Sequence, residues 1–362
     1  MKKIFIAATK QNDGKTTVSL GLIRNLQDKF KRVAFIKPIG QRYLEEEGLK
    51  IDEDSILIEE VCGIKCGLKD MSPIAVARGF TEKYITSPNK RPITSQIRDS
   101  FRRVSKDKDL VVIEGTGHAG VGSVFDHSNA TVANLLDSKV ILISSGGIGR
   151  PIDEILLNKA LFEEKGVKVL GVIINKVLPE KYNKISRLVK IGLKRKGIEV
   201  LGVIPYRPML SFPTMKQVLE ETDFQVLCGK QYLEAPVSRI LVGAMHPRNA
   251  VKYIIDDSLL ITPGDREDMI MSVLECHRDT FKTKLSLSGI VLTGGIIPDQ
   301  LIMDLLYKAK IPVLLAKGDT YAAASKVHDL TVKIRPQDTE KINKVVRLIR
   351  QHVDLDKIMK GI

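Results

Sequence analysis

Gly14, Lys15 and Thr16 form a short sequence typical of phosphate binding. They follow the apolar run KIFIAA and precede TTVSLGLIRNLQDKF, whose apolar spacing is that of a helix. In such a strand–loop–helix context, loop N–H groups surround phosphates, a Lys reaches the β- and γ-phosphate oxygens, and a Thr hydroxyl binds Mg²⁺. We therefore predict a P-loop here. The alternative is a turn that contains Gly-Lys-Thr by coincidence.

The elements around this loop alternate between buried strands and amphipathic helices. Six runs are apolar nearly throughout: KIFIAA, RVAFIKPI, DLVVIEG, KVILISSGG, VKVLGVIINKV and GIEVLGVIPY. Between them lie three helical patterns: TTVSLGLIRNLQDKF, DEILLNKALFEEKG and EKYNKISRLVKIGLKRKG. Strands buried on both faces and alternating with helices predict an α/β fold, with a mostly parallel sheet, helices on both its faces and right-handed crossovers.

Prolines at positions 205, 208 and 213 interrupt this alternation of strands and helices, and a second α/β series follows them. Its strand candidates are SRILVGAM, DSLLITPG, LSGIVLTGG and IPVLLAKG, and the last helix candidate is DTEKINKVVRLIRQHV. Because single cores stop growing at roughly 250–300 residues, a chain of 362 residues has room for two domains. We predict one domain over residues 1–208 and a smaller α/β domain over residues 209–362.

The composition favours a soluble protein of the cytoplasm. Hydrophobic residues make up 43% of the chain, and no apolar run approaches the ~20 residues of a membrane helix. The N-terminal Met-Lys-Lys is followed by too short an apolar run for a signal peptide. The four cysteines include a C-x3-C pair, Cys62 and Cys66, without a second pair that would complete a zinc site. We expect free thiols and no membrane contact.

The net charge of +14 raises the question of nucleic-acid binding. The basic residues are scattered in small groups such as GLKRKG and FKRVAF, and they do not form one long arm. This distribution indicates a solvated basic surface, part of which attracts anionic ligands such as nucleotides. It does not favour nucleic acid as the partner.

One carboxylate is placed by the predicted sheet where a metal–triphosphate complex needs it. Glu114 comes directly after a buried strand, and ligands of α/β folds bind at the carboxyl ends of strands. Mg²⁺ on a triphosphate takes one or two carboxylates near the Thr hydroxyl. Two other candidates could instead have no functional role. Asp54 could be a surface acid, and Lys37 could be a lysine that faces a helix.

The loop ATKQNDGKT resembles that of dethiobiotin synthetases, G-T-D-T-x-x-G-K-T, in which Thr also occupies the position of Thr9 and Ala8 replaces the preceding Gly. Four later segments resemble the same family in the expected order: FIKPI, VVIEGTG, INK and IPY. The resemblance implies a loop that binds ATP, Lys37 near substrate and the γ-phosphate, and Mg²⁺ held by Thr16, Asp54 and Glu114. The implied nucleotide-binding residues are Thr9, Asn12, Asp13, Gly14, Lys15, Thr16, Thr17, Asn175, which reads the adenine edge, and Pro205.

A related group, the partitioning and nitrogenase-type ATPases, has the loop K-G-G-x-G-K-[ST]. Its signature lysine falls on Lys10 here, while Gln11 and Asn12 replace the two glycines that follow it. Lys10 is therefore a third catalytic candidate beside Lys15 and Lys37.

The segment that follows Gly117 departs from true dethiobiotin synthetases. It resembles the dethiobiotin synthetase-like N-terminal region of some bacterial phosphate acetyltransferases, and PGDRED, LTGG and GDTY resemble the DRTGG domain that follows that region. The acetyltransferase domain itself has no room, so we expect no acetyl transfer. Glutamine amidotransfer is not expected either, because Cys276 and His277 lack a nucleophile elbow and a separate acid.

Two turns of the second domain leave two interpretations open. Thr293–Gly295 and Gly264–Arg266 follow strands, where Gly-rich turns can offer N–H groups and an Arg to a small anionic metabolite. Alternatively they are tight turns in which Asp265 caps a helix.

Two functions compete at the sequence level. The first is an enzyme, an ATPase or a phosphoryl-transfer enzyme, in which Lys15, Lys37 and Mg²⁺ supply charge neutralisation. The second is a nucleotide or metabolite sensor that regulates a partner enzyme, as the resemblance to an appended region suggests. Relatives of the first domain commonly form two-fold dimers, so the resemblance also implies a homodimer.

Overall fold

The structure is a computed structural model, and it describes residues 1–46, 48–277, 285–330 and 332–362. The chain forms two compact units, one of Met1–Arg207 with Ile334–Ile362 and one of Pro208–Lys333. Among the described residues, no helix combines the length and the apolar character needed to cross a bilayer.

Among its described residues, the first unit begins with ten strands and eight helices. The strands are β1 (Lys2–Ala8), β2 (Val33–Ile36), β3 (Ile39–Gly40), β4 (Tyr43–Glu46), β5 (Leu49–Asp52), β6 (Ile74–Ala75), β7 (Leu110–Glu114), β8 (Lys139–Ser145), β9 (Val169–Val177) and β10 (Val200–Pro205). The helices are α1 (Lys15–Leu26), α2 (Glu53–Cys62), α3 (Leu68–Met71), α4 (Phe80–Thr86), α5 (Lys90–Ser105), α6 (Asn129–Leu135), α7 (Arg150–Glu164) and α8 (Tyr182–Lys194).

Six of these strands form one parallel sheet in the order β10-β9-β8-β1-β7-β2. Every residue of β2 and β7 is buried, which requires cover on both faces of the sheet. The predicted α/β fold with a mostly parallel sheet is confirmed. The order also puts the carboxyl ends of β1, β7 and β2 side by side.

The second unit contains a smaller sheet. Its elements are β11 (Gln225–Cys228), β12 (Arg239–Val242), β13 (Ser258–Pro263), β14 (Leu287–Thr293), β15 (Val313–Leu315), α9 (Met215–Glu220), α10 (Pro247–Ala250), α11 (Glu267–His277), α12 (Gln300–Lys308) and α13 (Thr320–His328). The order is β11-β15-β14-β13-β12, with β11 antiparallel to its neighbour. The four predicted strands are present, and β11 is an addition that the sequence pattern did not reveal.

The chain ends with α14 (Thr339–His352) and α15 (Leu355–Gly361), which belong to the first unit. This differs from the division at residues 209–362, which assigned them to the second domain. The physical reason is the apolar and polar contact of α14 with α1, while the Lys2 ammonium donates to the carbonyls of Met359 and Ile362 at the end of the chain. A Cβ on Gly21 would lie 2.3 Å from Ile349 Cγ1, and Asn25 Nδ2 donates to the carbonyl of Val346 at 3.0 Å.

Candidate functional site

The candidate residues lie at the carboxyl ends of adjacent parallel strands. The loop of residues 9–14 connects β1 to α1, Glu114 ends β7, and Lys37 follows β2. The register pairs Ile6 of β1 with Glu114, so this carboxylate stands beside the start of the loop. The sheet order therefore brings together residues that are far apart in sequence.

Two residues of the loop have left-handed backbone conformations, which shape its tight turn. Asn12 has φ +65° and Gly14 has φ +95°. Gly14 is the N-cap of α1 and has no side chain to cap it, so the first N–H groups of the helix remain available to an external acceptor. Asn175 Nδ2, from the end of β9, would lie 2.3 Å from a Cβ at Gly14, so a glycine is needed there.

Asp13 holds the loop together from the inside. Its carboxylate accepts hydrogen bonds from the Thr9 hydroxyl at 2.8 Å and from the backbone N–H of Lys10 at 3.1 Å. The Thr9 hydroxyl also lies 3.1 Å from the hydroxyl of Ser144 on β8. Burial raises the pKa of Asp13, and these bonds partly offset that rise. Thr9 thus has a structural reason to occupy a position that is Gly in the common P-loop.

The Thr16 hydroxyl and the Glu114 carboxylate meet at the base of the loop. Thr16 Oγ1 donates to Glu114 Oε1 at 2.9 Å. Glu114 is fully buried, and its second oxygen, Oε2, has no hydrogen-bond partner among the described residues. The buried hydroxyl of Ser19, on α1, lies near this carboxylate, and its proximity lowers the pKa of Glu114 without a well-formed hydrogen bond to Oε2. A buried acceptor without a donor is costly, and it marks a place where a further ligand would be stabilised.

Lys37 lies among three buried carboxylates. Its ammonium forms an ion pair with Asp54, lies 2.9 Å from Asp52 Oδ1 and lies 4.0 Å from Glu114 Oε1. Asp52 is the N-cap of α2, and it accepts a hydrogen bond from the backbone N–H of Asp54 at 3.0 Å. Asp52 was not among the candidates taken from the sequence, although its capping position before EDS was a usable signal. Neither Lys37 nor Asp54 is a surface residue.

The pKa values of this cluster follow from burial and from the neighbouring charges. Burial lowers the pKa of Lys37, but Asp54, Asp52 and Glu114 outweigh it and hold that pKa above its usual value. Burial and the Asp54 charge raise the pKa of Glu114 to about 7. Burial lowers the pKa of Lys15, and Glu114 partly offsets this effect. Lys15 is half-buried, and among the described residues its ammonium forms no ion pair.

The donor set suits Mg²⁺ bound mainly through phosphates. Within the described chain, no group of three or more His, Cys, Asp or Glu side chains is arranged to hold a metal ion alone. Mg²⁺ on a triphosphate needs fewer protein ligands, with oxygen donors and several waters. The unpartnered Oε2 of Glu114 and the adjacent Thr16 hydroxyl fit that requirement, whereas Asp54 is engaged by Lys37.

Of the remaining predicted residues, Asn175 and Pro205 belong to the strands on the β8 side of β1, and Thr17 belongs to α1. Asn175 Nδ2 donates to the carbonyl of Asp13 at 2.8 Å, and Lys176 Nζ donates to the carbonyl of Asn12 at 2.7 Å. Both side chains therefore support the loop directly. Pro205 ends β10, three strands from β1 and so about 14 Å across the sheet. Thr17 is half-buried in the first turn of α1.

The Gly-rich turns of the second unit use their N–H groups internally. The N–H of Gly294 donates to Gly318 and that of Gly295 to Ala316, at 2.8 Å and 2.9 Å. The guanidinium of Arg266 bonds to both carboxylate oxygens of Asp268 and to the carbonyl of Gly243. These contacts favour the structural interpretation of the two turns over an anion site.

Two family profiles match the chain. The profile of the AAA domain matches residues 2–214, and that of the DRTGG domain matches residues 217–330. The two profiles follow each other in the same order as the two α/β series of the sequence.

Curated relatives and solved structures were found as well. A phosphate acetyltransferase of Pseudomonas putida is 29% identical over 370 residues, which cover 98% of this chain and 51% of the relative. One of Synechocystis sp. is 28% identical over 364 residues, with the same two coverages. The chain thus spans about half the length of the curated relatives it matches. The septum site-determining protein MinD of Pyrococcus horikoshii, solved with Mg-ADP, aligns with a TM-score of 0.37 and 16% identity over 58% of this chain and 83% of that one.

Proposed function

Because the chain belongs to the AAA domain family through residues 2–214 and carries a DRTGG domain after them, we propose that it binds Mg-ATP. We further propose that it either hydrolyses the bound ATP slowly or transfers its γ-phosphoryl group. One observation carries the proposal. Judged on the residues that the structure describes, a P-loop whose helix N-terminus has no side-chain cap, a lysine without an ion pair and a buried carboxylate with an unbonded oxygen meet at the carboxyl ends of the strands.

Each residue of the loop has a distinct part in this proposal. Backbone N–H groups at the start of α1 would bind phosphate oxygens, aided by the positive end of the helix dipole. Lys15 would contact the β- and γ-phosphates, because its ammonium has no carboxylate partner within the described chain. Asp13 and Asn175 would keep the loop in shape through the bonds that they make to it.

The metal would be held by Thr16 and Glu114. When bound, Mg²⁺ neutralises charge on the phosphate oxygens during phosphoryl transfer. Asp54 and Asp52 hold Lys37 in place, and this cation lies 4.0 Å from Glu114. We propose that Lys37 compensates the buried acids and presents positive charge toward the γ-phosphate side. Lys10, whose N–H is bonded to Asp13, remains a candidate for a second contact to phosphate.

Steady-state phosphate release from Mg-ATP tests the enzymatic proposal. Lys15→Ala should reduce the rate by about 100-fold or more, since it removes a preorganised charge from the transferring group. The matched control is Lys29→Ala, an exposed lysine just after α1, which should leave the rate unchanged. Equal rates in all three proteins would show that the release comes from another source and would overturn the proposal.

A second candidate is a sensor in which ATP is bound but not turned over. The ion pairs that occupy Lys37 favour it, because they keep this lysine from approaching a γ-phosphate until they are broken. Tight binding of ATP with no release of phosphate would identify the sensor. In that case, nucleotide occupancy is proposed to control a homodimer or a partner enzyme. Light scattering with and without Mg-ATP would reveal a change in mass.

A further inference from the structure

A cleft in the first unit lies along its outer strand, away from the P-loop. It has a volume of about 510 Å³ and is formed by α8, β10 and the segment that joins α14 to α15. Clefts of roughly 300–1,000 Å³ are the size that binds small metabolites. Because β10 is three strands from β1, the cleft is separate from the candidate nucleotide site.

One line of α8 gives this cleft a polar wall. Tyr182, Ser186, Lys190 and Lys194 all line it, and they are spaced four residues apart, so they follow one face of the helix. The buried residues of α8, Ile185, Val189 and Leu193, form the adjacent line toward the core. From Tyr182 to Lys194 the helix rises roughly 18 Å, so the cleft is elongated.

The charges of the cleft are unbalanced toward positive. Glu199 is paired with Lys357 at 2.5 Å, and Asp354 caps α15 by accepting from the N–H of Lys357 at 2.9 Å. Glu199 is thus neutralised by an ion pair, whereas Asp354 keeps its charge and is held in place by the helix N-terminus. Lys190 and Lys194 have no ion-pair partner in the part of the chain that the structure describes. Lys190 and Lys194 thus stand at the cleft as exposed cations one helical turn apart, and the lining carries three lysines against two acids.

The other end of the cleft offers a hydrogen-bond acceptor. The Tyr182 hydroxyl donates to the carbonyl of Val203 at 2.8 Å, and it lies 3.1 Å from His352 Nδ1. A phenol has one proton, so Nδ1–H of His352 must donate to the Tyr182 oxygen. This tautomer, assigned from the hydrogen-bond network, leaves Nε2 of His352 as an acceptor. Burial and the charge of Arg207 lower the pKa of His352, which favours the neutral ring.

We propose that this cleft binds an elongated organic polyanion that carries a hydroxyl group, either a phosphate ester or a polycarboxylate. Its anionic groups would pair with Lys190 and Lys194, and its hydroxyl would donate to Nε2 of His352. Such a ligand would contact both β10 and the C-terminal segment, which already meet where the Asp354 N–H donates to the Leu201 carbonyl at 2.7 Å. Occupancy would thereby stabilise the docking of that segment.

A tryptophan introduced into the cleft makes binding measurable there alone. The chain has no tryptophan, and Gln351 is an exposed lining residue, so Gln351→Trp gives a local fluorescence reporter. The probes are citrate and glycerol 3-phosphate, which separate the polycarboxylate from the phosphate ester. We expect a saturable change with at least one of them below about 10 mM at constant ionic strength.

Variants in the reporter background locate the site. Lys190→Ala with Lys194→Ala should weaken the affinity by about tenfold or more, because two charge-assisted contacts are lost. Lys184→Ala with Arg195→Ala removes the same charge from exposed positions outside the lining, and it should change the affinity by less than about twofold. Lys15→Ala should leave the response unchanged, which separates the cleft from the P-loop. No saturable response to either probe, or equal weakening by both double variants, would overturn the proposal.

Discussion

The Thr16 hydroxyl donates a hydrogen bond of 2.9 Å to the Glu114 carboxylate, although 98 positions separate the two residues. Parallel pairing of β1 with β7 creates this contact, because its register sets Ile6 opposite Glu114. The P-loop threonine and the carboxylate of the neighbouring strand thus form one unit, and the second carboxylate oxygen is left without a donor among the described residues.

The first prediction concerns this pair. Thr16→Val keeps the shape of the side chain but removes the hydroxyl, so it should weaken the binding of a non-hydrolysable ATP analogue about tenfold in Mg²⁺ and far less in EDTA. Competition with a fluorescent nucleotide measures both affinities. Thr16→Ser should restore the Mg²⁺ dependence. An identical loss with and without the metal would indicate a loop defect and count against a metal role.

The second prediction concerns the buried charge cluster. Lys37→Met leaves Asp52, Asp54 and Glu114 together without their cation, and it should reduce the free energy of unfolding by about 3–5 kcal/mol. Urea unfolding gives this value. Adding Asp54→Asn should recover part of the loss, because it removes one of the repelling charges. If the double variant is less stable than Lys37→Met alone, repulsion between the acids is not the cause.

The sheet and the loop could be predicted from sequence, but this charge cluster could not. Runs such as DLVVIEG are apolar nearly throughout, which is typical of strands that helices cover on both faces. The bounds of β1 and β7 therefore agree closely with the runs identified in the sequence. The partner of Lys37 depends on how the chain returns from the hairpin of β4 and β5 to α2, which leaves Asp52 as N-cap beside it. No local periodicity encodes such a return.

The position of the C-terminal helices also could not be predicted from local sequence patterns. The pattern DTEKINKVVRLIRQHV predicted α14, but it did not specify which sheet the helix would cover. The absence of a side chain at Gly21, which makes room for Ile349, is visible only when both helices are in place. Because α14 follows the second domain in the chain, the sequence analysis assigned it there. Its packing against α1 places it in the first unit.

A third prediction separates backbone strain from contact at Gly14. Gly14→Ala meets both a φ of +95° and the amide of Asn175, whereas Gly197→Ala meets a φ of +67° with nothing within 4 Å. The control should lose about 1–2 kcal/mol of stability from conformation alone, and Gly14→Ala should lose more. Thermal unfolding of both compares them. Because Asn175→Ala also removes the bond to the Asp13 carbonyl, Gly14→Ala is measured again in the Asn175→Ala background, where its added loss should be smaller than in the parent chain; an unchanged added loss would contradict the contact.

A fourth prediction concerns pH. Hydrogen bonds from Arg103 at 2.7 Å and 2.8 Å, with one from Ser100, lower the pKa of Asp70 from its ordinary 3.8. A depressed pKa in the folded state gives stability that is present above the unfolded pKa and is lost as pH falls through the folded one. Asp70→Asn should therefore cost about 1 kcal/mol at pH 7, and this difference should shrink below about pH 4.

Urea unfolding at pH 7 and pH 3 measures this difference. Asp99→Asn is the control, because the contacts of Asp99 are with exposed Arg102 and with Ser95 on the same helix. A constant difference between Asp70→Asn and the parent chain at both pH values would contradict the ion-pair explanation.

The last prediction tests which of the two units the C-terminal helices stabilise. Ile349 is 1% exposed, so Ile349→Ala should destabilise the first unit by about 2–4 kcal/mol through the cavity it leaves. Hydrogen exchange followed by mass spectrometry should show faster exchange in α1, whose Gly21 faces Ile349, and unchanged protection in β13 and β14. Val327→Ala, at 2% exposure in the second unit, is the matched control and should give the reverse pattern. If Ile349→Ala instead weakens protection in β13 and β14 and spares α1, the helices belong energetically to the second unit, and the division drawn from their packing on α1 is wrong.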